Sequence, residues 1–299
     1  MSLTAYNNVP VPSFMYGTAW KKTATAQLVQ RAVAEGFRAI DTANQLIHYQ
    51  EALVGEALLA LAQQGVGRDQ LFLQTKFTST NGQDHRTPYD PSAPLPTQVM
   101  QSFESSLAHL HTHYLDSYVL HGPYQRLGLG DSDWDVWATI EGLYQAGRTR
   151  MIGISNVTAQ QLSQLCAKAV VKPMVVQNRC YASRGWDKEV RDLCRAEGII
   201  YQGFSLLTAN PEVLTDPAVQ SIARRLETGI AQVVFRFAMQ FGMLPMTGTT
   251  DPQHMKEDLQ AEQLSLTPEE VKLIETIGRQ TRPGHPAKNK LTNLYDEVE

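Results

Sequence analysis

Short apolar runs with the composition of β-strands recur along this 299-residue chain, and stretches with helical periodicity separate them. Strands that alternate with helices are typical of a parallel sheet covered by helices. We predict eight strands, at 14–17, 38–41, 71–76, 117–121, 151–155, 174–177, 199–204 and 243–246. Eight such units predict a (β/α)8 barrel, the TIM-barrel fold, formed as a single domain over residues 1–299.

Apolar residues spaced by three and four predict helices between these strands. The predicted helices cover 25–35, 50–61, 97–110, 134–146, 158–167 and 187–197. Thr158 and Thr267 are predicted to cap helix N-termini. The longest irregular stretch, 78–96, directly follows a strand, so we interpret it as an active-site loop rather than a domain linker.

Composition describes an ordinary globular chain, with 42% hydrophobic residues, 19% charged residues and a net charge of -4. This charge argues against a nucleic-acid or membrane-surface partner. The N-terminus lacks the features of a secretion signal and no segment approaches a membrane span, so we expect a cytoplasmic protein. Its three cysteines lack metal-ligand spacing, which predicts reduced thiols and no metal site.

Three chemically active residues stand where successive predicted strands end, and a tyrosine follows the first of them. These residues are Asp41, Lys76, His121 and Tyr49. Taken singly, Asp41 fits a helix cap, Lys76 a solvent-facing strand terminus and His121 a hydrogen-bonded core histidine. Together they predict one active site, because the carboxyl ends of all barrel strands face the same bowl.

The motifs around these residues make the chain resemble the aldo-keto reductases over nearly its whole length. In chain order they are Gly17-Thr18, IDTA at 40–43, Glu51, Val54-Gly55, FLQTK at 72–76, LDSYVLHGP at 115–123, IGISN at 152–156, VVQN at 175–178 and AQVVFRFAMQ at 231–240. The resemblance implies hydride transfer between NADP(H) and a small carbonyl substrate, with a tyrosine hydroxyl as the proton donor.

The resemblance also implies a role for each residue of the site. A tyrosine of ordinary pKa near 10 is a poor acid at neutral pH unless a cation stabilises its phenolate. Lys76 would supply that cation, Asp41 would hold Lys76, and His121 would hydrogen-bond the carbonyl oxygen. Trp20, His121 and Tyr124 would contact the substrate, with Trp134 and Tyr295 as further aromatic candidates. The segment 279–299 is a candidate to fold over the pocket.

A cofactor lying across the carboxyl face is expected, because the glycine-rich Rossmann fingerprint is absent. By similarity, Ser155, Asn156 and Gln177 would bind the nicotinamide carboxamide, and Phe204 would stack on its ring. The remaining cofactor-binding candidates are Gly17, Thr18, Asp41, Ser205, Leu206, Gly248, Thr249, His254, Lys256 and Asp258.

The chain departs from the family pattern at three places. Counting back from Gly55 puts His48 at the usual tyrosine position, while Tyr49 is its neighbour; we favour Tyr49 because a phenol suits proton donation beside Lys76. After the eighth strand the usual lysine and arginine are missing, and His254 takes the arginine position. Gly122 replaces a common aromatic residue, which predicts a wider pocket.

These departures leave other functions open. The missing phosphate-binding cations keep an NAD(H)-linked alcohol or sugar dehydrogenase as the alternative. A second alternative is a slow-turnover, redox-sensing cofactor-binding subunit that signals to a partner protein. A barrel hydrolase fits less well, because no second catalytic acid accompanies Asp41. We expect a monomeric reductase of aldehydes or ketones.

Overall fold

A closed barrel of eight parallel strands dominates the computed structural model, which describes residues 2–280. The strands are β1 Ser2–Thr4, β2 Pro10–Pro12, β3 Met15–Gly17, β4 Ala39–Asp41, β5 Phe72–Phe77, β6 Ser117–Leu120, β7 Ile152–Ser155, β8 Val175–Arg179, β9 Ile200–Phe204 and β10 Met243–Thr247. Strands β3 to β10 close the barrel in chain order, with β10 pairing β3. The predicted barrel is confirmed. The antiparallel β1–β2 hairpin was not predicted.

Helices follow the barrel strands on the outside. They are α1 Thr25–Glu35, α2 Glu51–Gln63, α3 Leu95–His109, α4 Asp131–Gln145, α5 Ala159–Lys168, α6 Lys188–Glu197, α7 Pro211–Leu214, α8 Pro217–Arg225, α9 Ile230–Gln240, α10 Pro252–Gln260 and α11 Pro268–Gln280. The first six match the six predicted helices within a few residues. No helix within the described residues is long and apolar enough to cross a bilayer.

Threonines begin two of these helices as predicted. The Thr158 hydroxyl accepts a hydrogen bond from the Gln161 amide at 3.2 Å, and the Gln161 side chain returns to the Thr158 amide. Thr267 and Glu270 form the same reciprocal arrangement before and within α11. Each pair satisfies two amide groups that the first helical turn would otherwise leave without partners.

The core lies between the barrel wall and the helices. Trp137 and Trp186 are fully buried there. Close packing also explains one glycine of the family motif, because a Cβ on Gly55 would lie 1.8 Å from the His109 carbonyl oxygen. A larger residue there would force α2 away from the end of α3. The three cysteines are free and buried in the same region.

The strand register sets the functional groups at one height in the barrel. Asp41 pairs with Gly17 on one side and Gln74 on the other. Across the barrel, Gln177 pairs with Ser155 and with Gln202. Because successive side chains of a strand alternate between its two faces, Gln74 and Lys76 project to the same side of β5. The barrel interior is therefore polar just below its carboxyl end.

Candidate active site

A buried ion pair lies at the centre of the carboxyl face. The Lys76 Nζ donates to both carboxylate oxygens of Asp41, at 2.8 Å and 2.7 Å, and to the Thr42 carbonyl at 2.8 Å. Both side chains are almost completely buried. Burial lowers the pKa of Lys76, and the Asp41 carboxylate opposes that effect. The pairing holds the lysine in one orientation.

Three buried glutamines extend this ion pair across the barrel. Gln74 and Gln177 each donate an amide hydrogen to Asp41 Oδ1, at 2.8 Å and 3.1 Å. Both also donate to Gln202 Oε1, and Gln202 returns a bond to Gln74 Oε1 at 3.0 Å. Because a carboxylate only accepts hydrogen bonds, it fixes which end of the Gln74 and Gln177 amides faces it.

Tyr49 lies beside the ion pair and close to His121. The Lys76 Nζ is 5.2 Å from the centroid of the Tyr49 ring. The centroids of the Tyr49 and His121 rings are 6.0 Å apart. These distances bring together the four residues that the sequence suggested. Proximity of a cation favours the ionised form of a phenol, so this position suits a proton donor.

His48, the other candidate for this position, packs against Trp20. Their ring centroids are 4.1 Å apart, and the Trp20 amide donates to the His48 carbonyl at 2.7 Å. His48 also lies close enough to contribute to the lowered pKa of His121. Both candidates thus border the site, and Tyr49 is the one whose ring lies next to the Lys76 ammonium.

His121 is held from two sides at the end of β6. Its amide donates to the Phe77 carbonyl at 2.9 Å, and its carbonyl accepts from Asn156 Nδ2 at 2.8 Å. Its ring Nδ1 lies 2.7 Å from the Thr78 hydroxyl. Burial, together with the charge of Lys76, lowers the pKa of His121 well below its ordinary value. The imidazole is therefore neutral at neutral pH.

The candidates for the nicotinamide amide gather at the ends of β7 and β8. The Ser155 hydroxyl donates to the Gln177 carbonyl at 2.6 Å, and Asn156 Nδ2 lies 3.2 Å from the Ser155 hydroxyl. Asn156 has a positive φ of 53°, a conformation that asparagine adopts more readily than most residues. The local structure thus concentrates hydroxyl and amide groups beside the Asp41 network.

The next two strands add an aromatic ring and a cation. The Arg179 guanidinium lies 5.6 Å from the centroid of the Phe204 ring, at the ends of β8 and β9. Ser205 has a positive φ of 57°, and Leu206 is buried. Arg179 was not among the residues suggested by the sequence, although it directly follows the VVQN motif.

The loop after β10 contacts a cation from the loop after β3. The Lys21 ammonium donates to the Gly248 carbonyl, and the Thr249 carbonyl accepts from the Tyr16 hydroxyl at 3.0 Å. A Cβ on Gly248 would lie 3.3 Å from the Lys21 Nζ, so a larger residue here would crowd the lysine. Lys21 was not among the residues suggested by the sequence, because it lies 227 residues before Gly248.

Helix α10 carries the remaining candidates. His254 and Lys256 are exposed, whereas Asp258 is buried. Burial raises the pKa of Asp258 to about 7, and the Thr247 hydroxyl and His254 oppose that effect. Thr18, by contrast, lies within the barrel mouth and donates from both its amide and its hydroxyl to the Asp41 carbonyl.

The structure also describes several residues that the sequence suggested as contacts for the substrate. Trp20 is 45% exposed beside His48, and the half-buried Tyr124 donates from its amide to Asp133 at 2.7 Å. Trp134 packs under the Lys168 ammonium, 5.7 Å away, so its ring has a structural partner. Tyr295 and the segment from 281 onwards lie outside the described residues.

The donor groups fit a nicotinamide dinucleotide. Hydroxyl and amide groups suit the carboxamide, the Phe204 ring offers an aromatic face, and Lys21 and Arg179 are cations that could hold phosphates. Among the described residues no group of three or more histidine, cysteine or acidic side chains is arranged to hold a metal ion. The arrangement can therefore position a hydride donor, a proton donor and a carbonyl oxygen together.

An eight-stranded barrel with an aspartate, a lysine, a tyrosine and a histidine at its carboxyl mouth defines a class of carbonyl-reducing enzymes. The family model described as the Aldo/keto reductase family matches residues 14–279. This chain belongs to the aldo/keto reductase family, and it is an NAD(P)H-dependent oxidoreductase.

Curated relatives match the chain over most of its length. It is 29% identical to glyoxal reductase of Bacillus subtilis, covering 93% of each chain. It is 27% identical to aldo-keto reductase family 1 member A1 of Xenopus tropicalis, covering 93% of this chain and 89% of the relative.

Solved structures agree with the fold. The crystal structure of an aldo-keto reductase from a Medee basin deep-sea metagenome library superposes with a TM-score of 0.80 at 22% identity, covering 97% of this chain and 99% of that one. An aldo/keto reductase from Brucella melitensis gives 0.79 at 24% identity, covering 93% and 99%.

Proposed function

We propose that the protein reduces aldehydes or ketones to alcohols with NADPH, and that Tyr49 donates the proton. One observation carries the proposal: the Tyr49 ring lies beside both the Lys76 ammonium and the His121 imidazole. In this proposal the nicotinamide, when bound, supplies a hydride to the carbonyl carbon and is thereby oxidised. Residues of the chain donate a proton and a hydrogen bond to the carbonyl oxygen of the substrate.

Tyr49 breaks its O–H bond as the new O–H bond of the alcohol forms. The phenolate left behind is stabilised by the Lys76 ammonium, which Asp41 and the Thr42 carbonyl keep in place. Water then returns a proton to the phenolate. General acid catalysis of this kind contributes roughly 10²–10⁴-fold to the rate.

His121 orients the carbonyl rather than protonating it. A neutral imidazole donates one hydrogen bond without carrying charge, and the lowered pKa of His121 keeps it neutral near pH 7. The hydrogen bond strengthens as negative charge grows on the carbonyl oxygen. In this proposal His121 therefore supplies the hydrogen bond and Tyr49 is the acid.

NADH-linked chemistry is the second candidate function, and one observation favours it. The segment after β10 lacks the lysine and arginine that the family usually has there, and the following helix buries a carboxyl, Asp258. A buried carboxyl disfavours a nearby phosphate when it is ionised. Lys21, which contacts the Gly248 carbonyl, supports the NADPH assignment instead.

Stopped-flow oxidation of bound NADPH by a reactive aldehyde tests the proposed function. Rapid loss of the reduced-nicotinamide absorbance, with one alcohol formed per cofactor, is the expected result. An inert bound cofactor would favour a redox-sensing subunit and would contradict the reductase proposal.

A further inference from the structure

Thr78 stands directly after β5, two residues beyond Lys76, and is completely buried. Its carbonyl accepts a hydrogen bond from the Tyr89 hydroxyl at 2.8 Å, and the Tyr89 ring packs on Phe77 with centroids 5.6 Å apart. Its side chain reaches across to His121, where the hydroxyl oxygen is 2.7 Å from Nδ1. The loop after β5 thus anchors the backbone from which this hydroxyl projects.

The direction of the hydrogen bond follows from counting protons. A neutral imidazole carries one N–H, on either Nδ1 or Nε2, and a hydroxyl carries one hydrogen. Within the described residues, Nδ1 of His121 is the hydrogen-bond partner of the Thr78 hydroxyl. If Nδ1 carried the proton, it would donate to the threonine oxygen and leave the buried hydroxyl hydrogen without an acceptor. If the hydroxyl donates to Nδ1, both the hydroxyl hydrogen and the Nδ1 lone pair are satisfied.

We propose that Thr78 is a positioning residue that holds His121 in the tautomer with its proton on Nε2. The inference rests on the proposed function, because only the Nε2–H form presents a donor to a carbonyl oxygen from the side opposite Thr78. With the proton on Nδ1, the imidazole would present a lone pair to that oxygen and repel it. Thr78 therefore makes His121 the donor in its hydrogen bond to the substrate carbonyl oxygen.

Thr78→Val tests the assignment, because valine keeps the shape of threonine and removes the hydroxyl. In ¹⁵N-histidine-labelled protein at pH 7.5, with the His121 signals identified from their loss in His121→Gln, the wild type shows protonated Nε2 and unprotonated Nδ1. Thr78→Val is expected to populate both tautomers, and Thr78→Ser to restore the Nε2–H form. This readout does not depend on turnover, so it is separable from failure of the proposed function.

Thr149→Val is the matched control. Thr149 is also buried and donates to a carbonyl, that of Met151 at 2.8 Å, but it lies before β7 at the other end of the barrel. We expect the His121 ¹⁵N signals of Thr149→Val to match those of the wild type. Circular dichroism and thermal unfolding establish that each variant is folded before the spectra are compared.

Kinetics supply a second readout. Loss of the tautomer preference is expected to lower kcat/KM of Thr78→Val for an aldehyde by about tenfold, with the Kd for NADPH unchanged and Thr78→Ser near the wild type. A wild-type imidazole protonated on Nδ1, or a Thr78→Val protein that keeps the pure Nε2–H tautomer, would overturn the inference.

Discussion

The Lys76 ammonium lies 5.2 Å from the centre of the Tyr49 ring, at the end of a chain of contacts that begins with Asp41. A cation at this distance stabilises a phenolate more than a phenol. His48, one residue earlier, instead places its ring on Trp20. The two neighbouring residues that the sequence motif offered therefore have different ring neighbours in the structure.

Tyr49→Phe is expected to lower kcat by at least about 10²-fold while leaving the Kd for NADPH nearly unchanged, because the ring remains and only the proton donor is lost. His48→Gln serves as the control and is expected to have a much smaller effect. Steady-state kinetics and a fluorescence titration measure both quantities. If His48→Gln caused the larger loss, and the pH–rate profile followed a group near pH 6.5, the imidazole would be the acid.

The preference for NADPH over NADH is expected to be modest, because the lysine and arginine usual after β10 are missing and Lys21 supplies one cation to this loop. We expect Lys21→Met to weaken NADPH binding by about tenfold, with a smaller effect on NADH, since a charge-assisted contact contributes about 1.5–3 kcal/mol. Lys272→Met, at an exposed site on α11, is the matched control. A wild-type preference for NADPH of several thousandfold would contradict this expectation.

Bulky carbonyl substrates are expected to react faster than two- or three-carbon aldehydes. The loop after β5 is pinned to the segment before Tyr49, since Gln45 donates to the Gly82 carbonyl at 2.7 Å and Arg86 to the Leu46 carbonyl at 3.2 Å. Leu46 and Ile47 remain exposed on that segment. Burying such apolar surface against a substrate contributes about 25 cal/mol per Å² before ordering costs.

The experiment is to measure kcat/KM with aldehydes of increasing size for the wild type and for Gly122→Trp. The added ring is expected to reduce activity selectively toward the largest substrates. Exclusive activity toward the smallest aldehydes would contradict the expectation of a wide pocket.

Asp258→Asn is expected to stabilise the protein above pH 7. Burial raises the pKa of Asp258 from 3.8 to about 7, so the folded state binds this proton more tightly than the unfolded state. The stabilisation of the folded state by the proton on Asp258 is fully present below about pH 3.8 and is lost as the pH rises toward 7. Asparagine keeps the size of the side chain and cannot ionise.

Thermal unfolding at pH 5.5 and pH 8 measures this effect. The Tm of Asp258→Asn at pH 8 is expected to exceed that of the wild type by a few degrees, and the gap should narrow at pH 5.5. Asp135→Asn, at an exposed position of α4, controls for loss of one carboxylate. A gap that is equal at both pH values would rule out titration of Asp258 as its cause.

Gln202→Leu is expected to lower the free energy of unfolding by about 2–3 kcal/mol. The leucine would remove the acceptor shared by Gln74 and Gln177 and the donor to Gln74 Oε1. Buried amide groups left without partners cost about 1–3 kcal/mol each. Urea unfolding measures the change, with the exposed Gln253→Leu expected to stay within about 0.5 kcal/mol of the wild type. A comparably small change in Gln202→Leu would show that the amides find other partners.

The amino-acid sequence alone was sufficient to predict the barrel, its eight strands and its first six helices. Strand and helix periodicities are local properties, and each apolar run has to be buried on the face that its periodicity defines. Asp41, Lys76 and His121 could be assigned to one site for the same reason, because the ends of parallel strands converge. The β1–β2 hairpin was missed, since two three-residue strands carry no periodicity.

Tertiary structure decided the parts that depend on contacts between distant segments. The sequence offered both His48 and Tyr49. In the structure the Trp20 amide bonds to the His48 carbonyl, and the Tyr49 ring lies beside the Lys76 ammonium. Lys21 and Thr78 likewise contact residues that lie 227 and 43 positions away in the chain. The direction of a loop side chain follows from backbone angles that such long-range contacts impose, and no local pattern in the sequence records them.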